Sequence, residues 1–189
     1  MITWQGSAAP YLESVRLMVS DGRLRASGRI VAARNQTTDK PAFSASFDLS
    51  VARSGDVGKG LLRTITADEE RQVSVGRTED GVWLIDHGDG TERNEFDGAA
   101  DVDVAGAVTF TALPIRRLGL HREPGEHVLP VVYVSMPDLS VRLVHQTYRT
   151  VSVSDEGAVI NYKVPDFSAD LTVDRDGLVI DYPGIATRV

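Results

Sequence analysis

The chain has 189 residues, 42% hydrophobic and 25% charged, a globular balance that excludes a fully disordered polypeptide. Its 20 Lys and Arg against 27 Asp and Glu give a net charge of −7, which argues against a general nucleic-acid binder but leaves room for a local basic patch. The absence of cysteine excludes disulfides, thiolate metal sites and cysteine nucleophiles.

The length suits one domain, 1–189, with enough chain to bury a core without staples. Met1-Ile2-Thr3-Trp4-Gln5-Gly6-Ser7 has neither the cationic nor the apolar run of a secretory signal. No window approaches the ~20 apolar residues of a membrane helix. The expectation is a cytoplasmic protein with no membrane-spanning segment.

Alternation with period 2, the mark of a half-buried strand, runs along the chain. Val15, Leu17 and Val19 share a face. Leu24, Ala26, Gly28, Ile30 and Ala32 follow, with Arg23, Arg25, Ser27 and Arg29 opposite. Phe43, Ala45, Phe47, Leu49 and Val51 face away from Ser44, Ser46, Asp48 and Ser50. Gly55-Asp56-Val57-Gly58-Lys59-Gly60 lacks the length and the Ser/Thr of a phosphate loop and reads as a flexible hairpin. A helical turn fits around Ala67–Arg71 and another around Pro114–Arg117. The polar stretch Asp86–Gly98 reads as a loop.

Phe167, Ala169, Leu171 and Val173 give the last alternating run. Turn signals punctuate the pattern at Asp21-Gly22, Ser54-Gly55, Asp80-Gly81, Asp89-Gly90, Glu156-Gly157, Asp176-Gly177 and Pro183-Gly184. The fold class is therefore all-β, with antiparallel curled sheets forming a barrel or half-barrel and very little helix. Asp48–Gly55 and Asp170–Gly177 match at five of eight positions, each following a Phe-Ser-Ala, with two extra residues between in the first copy. Two readings stand: a duplicated β-meander, or two strands that chose similar residues.

Chemistry has few anchors. His87, His121, His127 and His145 make no H-x-H or H-x-x-x-H pair, so no metal is expected. No G-x-S-x-G elbow occurs. Asp101-Val102-Asp103 sets two carboxylates on one side of a strand, as surface acids, a ligand pair or an acid/base pair. Arg116 and Arg117 interrupt the apolar Leu113–Leu120. Read as strand, the segment turns one arginine inward, where it needs a partner such as Asp101 or Asp103. That arginine either fastens two segments or meets an anionic or sugar headgroup. In Leu139–Val153 the apolar alternation is broken at His145, Thr147 and Arg149, with Gln146 and Tyr148 on the other face. Either a bulge switches the register there, or polar groups line a cavity.

Three stretches resemble the bacterial Putative glycolipid-binding family, formerly a domain of unknown function. They are Asp97–Val104, the Leu-Pro-Ile-Arg-Arg-Leu core at Leu113–Leu118, and the closing Phe167–Asp174 with Gly177–Gly184. Trp4, Val134–Leu139 and the Gln146/Tyr148 pair also fall where the family pattern puts them. Departures are Ala99, where the family has cysteine, and Phe110-Thr111-Ala112, where it reads Thr-Asn-Thr. The resemblance implies curled all-β sheets, similar to bacterial lipoprotein carriers that hold acyl chains in an apolar cavity, and implies no catalytic residue.

The expectation that follows is non-enzymatic binding of a small amphiphilic, glycolipid-like ligand, with no cofactor and no nucleic acid. Arg116, Arg117, His145, Gln146, Tyr148, Asp101 and Asp103 are the candidate ligand-binding residues. A small enzyme acting on a sugar or lipid conjugate through Asp101 and Asp103 is the alternative, as is a protein-interaction module whose partners the sequence leaves unknown.

Overall fold

A computed structural model describes residues 1–7, 10–20, 23–34, 39–52 and 54–189. The expected turn at Asp21-Gly22 and the repeat's Arg53 lie outside the described residues. The first meander comprises β1 (Ile2–Gly6), β2 (Tyr11–Ser20), β3 (Arg23–Ala32), β4 (Phe43–Val51), β5 (Val57–Ile65), β6 (Glu70–Arg77), β7 (Trp83–Asp86) and β8 (Thr91–Asn94). The short β9 (Asp101–Val104) leads into helix α1 (Val108–Arg117). The second meander comprises β10 (Glu126–Val134), β11 (Val141–Ser154), β12 (Gly157–Val164), β13 (Phe167–Asp174), β14 (Val179–Tyr182) and β15 (Ala186–Arg188).

All these strands join one curled sheet in the order β8 to β1, then β15 to β9. The meanders meet where Trp4, Gln5 and Gly6 of β1 pair with Arg188, Thr187 and Ala186 of β15. Neighbours are antiparallel except β9 and β10, which run parallel because α1 carries the chain between them. The sheet is curled but not closed. Its β8 edge, Thr-Glu-Arg-Asn, is exposed at every residue, and the charges at Glu92 and Arg93 discourage further strand addition. The other end docks on the first meander. The Ala99 carbonyl accepts from Trp83 Nε1 at 2.9 Å and Arg77 Nε at 3.0 Å, and Ala100 O accepts from Val57 N at 3.1 Å.

Several expectations change. The helix covers Val108–Arg117 rather than one turn at its end, and Val108 through Ile115 are all buried. A helix buried all round has no apolar stripe, and Pro114 and two threonines hide it further. Arg116 and Arg117 are consequently neighbours on its last turn, not residues on opposite faces of a strand. At Ala67–Arg71 the helical turn gives way to a hairpin, because Thr66 Oγ1 accepts the Asp68 and Glu69 amides at 3.3 and 3.2 Å. Lys59 and its flanking glycines belong to β5, and part of Asp86–Gly98 forms the edge strand β8.

The core shows why one glycine is fixed. Gly28 sits opposite Phe47, and a Cβ there would lie 2.2 Å from the ring. With no side chain beneath it, Phe47 lies over β3 and meets Phe110 of α1 edge-on, centroids 5.0 Å apart.

The sequence repeat has a matching geometry. Both copies end in a hairpin whose register shifts at corresponding points, between Ser50 and Val51 and between Thr172 and Val173. In each, the glycine amide bonds back three residues, Gly55 to Ala52 O and Gly177 to Asp174 O, and both glycines have positive φ. The two turns touch adjacent arginines. A Cβ on Gly55 would lie 2.7 Å from Arg117 Cγ, and one on Gly177 would lie 3.0 Å from Arg116 Cγ.

Candidate functional site

Three buried carboxylates surround α1, and each is compensated differently. Glu13 on β2 is fully buried at the helix N-terminus, where Ala107 offers no side-chain cap. Its carboxylate accepts from Val108 N at 2.6 Å, Thr109 N at 3.2 Å, Thr109 Oγ1 at 2.5 Å and Tyr11 Oη at 2.6 Å. Four donors and the positive end of the helix dipole hold this charge in place. Burial raises the Glu13 pKa, and those hydrogen bonds oppose the rise.

Asp101 on β9 is also fully buried. Arg117 clamps it with Nη2 2.6 Å from Oδ2 and Nε 3.2 Å from both oxygens. Burial pushes the Asp101 pKa up, and the guanidinium pulls it down. The neighbouring Arg116 donates Nη1 to the Asp176 carbonyl. Both arginines are thus engaged with the fold, one through β9 and one through the second repeated turn.

Asp103, two residues along β9, has no cationic partner among the described residues. Gln146 Nε2 donates to Oδ2 at 2.7 Å, and the Val104 amide donates to Oδ1 at 2.9 Å. Tyr148 Oη donates to Gln146 Oε1 at 2.9 Å, which fixes the amide with its NH2 toward the carboxylate. Gln146 and Tyr148 are both fully buried. Burial lifts the Asp103 pKa to about 6, against these two neutral hydrogen bonds.

Asp103 opens into a cleft of about 220 Å³ lined by Tyr133, Tyr162, Tyr182, Phe167 and Thr111, and by the backbone entering α1. Strand register builds the wall. Tyr148 and Tyr162 are cross-strand partners with centroids 5.2 Å apart, and Ala169 beside Tyr162 leaves room. Tyr162, Phe167 and Tyr182 form a triangle with centroids 6.0 to 6.3 Å apart. Arg142 stacks on the Tyr133 ring 4.8 Å from its centroid. Burial, with the Asp103 charge adding to it, raises Tyr133, Tyr162 and Tyr182, so all three keep their protons.

The structure therefore brings Asp103, Gln146 and Tyr148 together and sets the other candidates apart. His145 is exposed on the opposite face of β11, with Arg149. The β11 bulge lies between Thr150 and Ser152, beyond the polar trio, so the break in alternation at His145 is a strand turning its polar even positions inward. Arg116 and Arg117 line a different recess, against Ser54 and Gly55. Asp101 is committed to Arg117, so the two carboxylates of β9 do not share the cleft as an acid/base pair. Sequence reasoning missed Glu13 and the three cleft tyrosines. Tyr162 had a signal, since it continues the inward face of Ala158 and Ile160.

This cleft chemistry suits hydroxylated rings. Aromatic faces cover apolar C–H surfaces, while a carboxylate and a threonine offer directional partners. Among the described residues no group of acids and histidines is placed to hold a metal ion. No helix among them is long and apolar enough to cross a membrane.

A crystal structure of a DUF1089 family protein from Pseudomonas aeruginosa has the same fold, with a TM-score of 0.76 at 24% identity. The likeness covers 98% of this chain and 95% of that one. No curated protein matches the chain. The family model described as Putative glycolipid-binding matches residues 1–188, from the first strand through the last, and the chain belongs to that family.

Proposed function

We propose that the protein binds, without catalysis, the hydroxylated headgroup of a lipid or glycolipid-like amphiphile in the tyrosine cleft at Asp103. One observation carries this reading: a buried carboxylate held by only two neutral donors, facing a cleft walled by aromatic rings. An ionised carboxylate in that setting gains from each further donor, and a ligand hydroxyl supplies one. The family description supports the same class of ligand. The cleft volume of about 220 Å³ is below the ~300 Å³ at which drug-sized sites begin, so it suits a single ring, with the acyl chain outside it.

The test is titration with octyl glucoside below its micellar concentration, followed by native mass spectrometry and tyrosine fluorescence. Asp103→Asn keeps the shape and removes the charge. Its affinity should fall roughly 10- to 100-fold, the worth of one hydrogen bond to a charged group. Binding by the unchanged protein should also weaken as pH drops through about 6, where Asp103 takes up a proton. Absence of binding at pH 8, or equal affinity in Asp103→Asn, overturns the proposal.

A further inference from the structure

The outer face of the first meander has a composition at odds with the rest of the chain. Register places its outward residues in rows across β2 to β6. Leu12, Val31, Ser44 and Ile65 form one end row. Ser14, Arg29, Ser46, Arg63 and Gln72 form the next. Arg16, Ser27, Asp48 and Leu61 follow, then Met18, Arg25, Ser50 and Lys59, with Arg23 beyond. Six cations thus share a face with two carboxylates, Asp48 and Glu70, in a chain whose net charge is −7. Among the described residues none of the six forms an ion pair. All six are exposed.

The apolar part of the face is equally organised. Leu12, Val31 and Ile65 are 45%, 60% and 51% exposed along the end row. Two open recesses lie between the rows. One, of about 460 Å³, is bordered by Arg16, Arg25 and Lys59, with Asp48 and Met18. The other, of about 400 Å³, is bordered by Arg29 and Arg63, with Glu70, Val31 and Ile65. Each sets cations beside aliphatic side chains.

We infer that this face docks the protein on an anionic lipid surface, with the arginines and Lys59 on lipid phosphates and the aliphatic row in the interface. Charge complementarity selects the partner: unpaired cations gain from a sheet of negative charge, and exposed aliphatics gain from the acyl boundary. A single-stranded nucleic acid is disfavoured because the rows hold no aromatic side chain on which a base could stack, and a duplex because it leaves the exposed aliphatic row without a partner. A second copy of the same face is disfavoured by like charge. The inference does not rest on the headgroup reading, since it uses neither Asp103 nor the tyrosine cleft.

Co-sedimentation of the full chain with vesicles tests it. Vesicles of phosphatidylcholine mixed with phosphatidylglycerol should bind the protein at low salt and release it at high salt, and phosphatidylcholine alone should not bind. Arg25→Gln/Arg29→Gln should bind about 25-fold less well, at about fivefold per cation. Lys59→Gln/Arg63→Gln, an independent pair, should lose a similar factor. Arg149→Gln/Lys163→Gln removes the same charge from the other meander and should bind like the unchanged protein. Failure to bind the anionic vesicles, an equal loss in the Arg149/Lys163 control, or tighter binding to a DNA duplex or to polyglutamate would overturn the inference.

Discussion

Removing the Arg117 guanidinium gives the sharpest test of how the sheet is held together. Asp101 is fully buried, and among the described residues its one ion-pair partner is Arg117, 2.6 Å away at the closest contact. Arg117→Met keeps most of the stem that packs on the Gly55 turn and leaves the carboxylate unpaired. Breaking a buried pair from one side costs about 3–5 kcal/mol. At this chain length that corresponds to a fall in Tm of roughly 6–20 °C, taking about 2–4 °C per kcal/mol. Part of the loss is recoverable by protonation. Burial already raises the Asp101 pKa, and loss of the guanidinium raises it further. A folded-state pKa above the unfolded value of about 3.9 favours the folded form in acid, and that contribution disappears as pH rises through the raised value. The deficit of Arg117→Met should therefore shrink on going from pH 8 toward pH 5. Urea unfolding can be followed through the buried Trp4 and Trp83. Asp101→Asn/Arg117→Met, which removes both charges, should recover a large part of the stability. A loss under about 1 kcal/mol in the single variant, or a double variant no more stable than the single, would refute the account of Arg117 as a brace.

Two further predictions concern parts of the fold that position the cleft. Glu13→Gln replaces an acceptor of four hydrogen bonds by an amide that accepts on one atom, and unfolding should show a loss of about 2–4 kcal/mol from stranded donors at the α1 N-terminus. Gly28→Ala drives a methyl into the Phe47 ring and should cost about 1–3 kcal/mol in the same assay, with Phe47→Leu in the same chain restoring part of it.

The strands were legible because period-2 alternation reports a face directly, and Leu24–Ala32 and Phe43–Val51 follow it as β3 and β4. The helix was not. Eight consecutive buried residues present no contrast between faces, and Pro114 argues against a helix on local grounds. The sequence supports only a helical turn around Pro114–Arg117, and read as strand the Leu-Pro-Ile-Arg-Arg-Leu segment still implies a fastening arginine, because a buried charge needs a partner whatever the backbone does. Of the two candidate partners, Asp101 and Asp103, the structure pairs Arg117 with Asp101. Glu13 stayed hidden because it looks like an ordinary inward lapse in a strand until Val108 and Thr109, about 95 residues away, supply its donors. The cleft tyrosines come from three strands of the second meander, and only register aligns them.

Burial raises the pKa of all three carboxylates around α1, and they differ in what compensates them. Glu13 has four donors and a helix N-terminus, and Asp101 has a guanidinium; removing the charge from either leaves its partners stranded. Asp103 has two neutral donors and a pKa raised to about 6, so at pH 7 its ionisation opposes folding. A shift of about two units corresponds to roughly 3 kcal/mol as an upper bound. The sign follows from the raised value: the favourable contribution is complete below about pH 4 and is lost as pH rises through 6. Asp103→Asn should accordingly make the protein more stable at pH 8, with the difference vanishing toward pH 4. The same substitution should weaken headgroup binding. Asp103 is also the one of the three carboxylates that lines the cleft, which is why the binding proposal rests on it. If Asp103→Asn instead lowered stability at pH 8 to the degree expected for Glu13→Gln, Asp103 would be a third structural anchor and the case for the cleft as a binding site would fall with it.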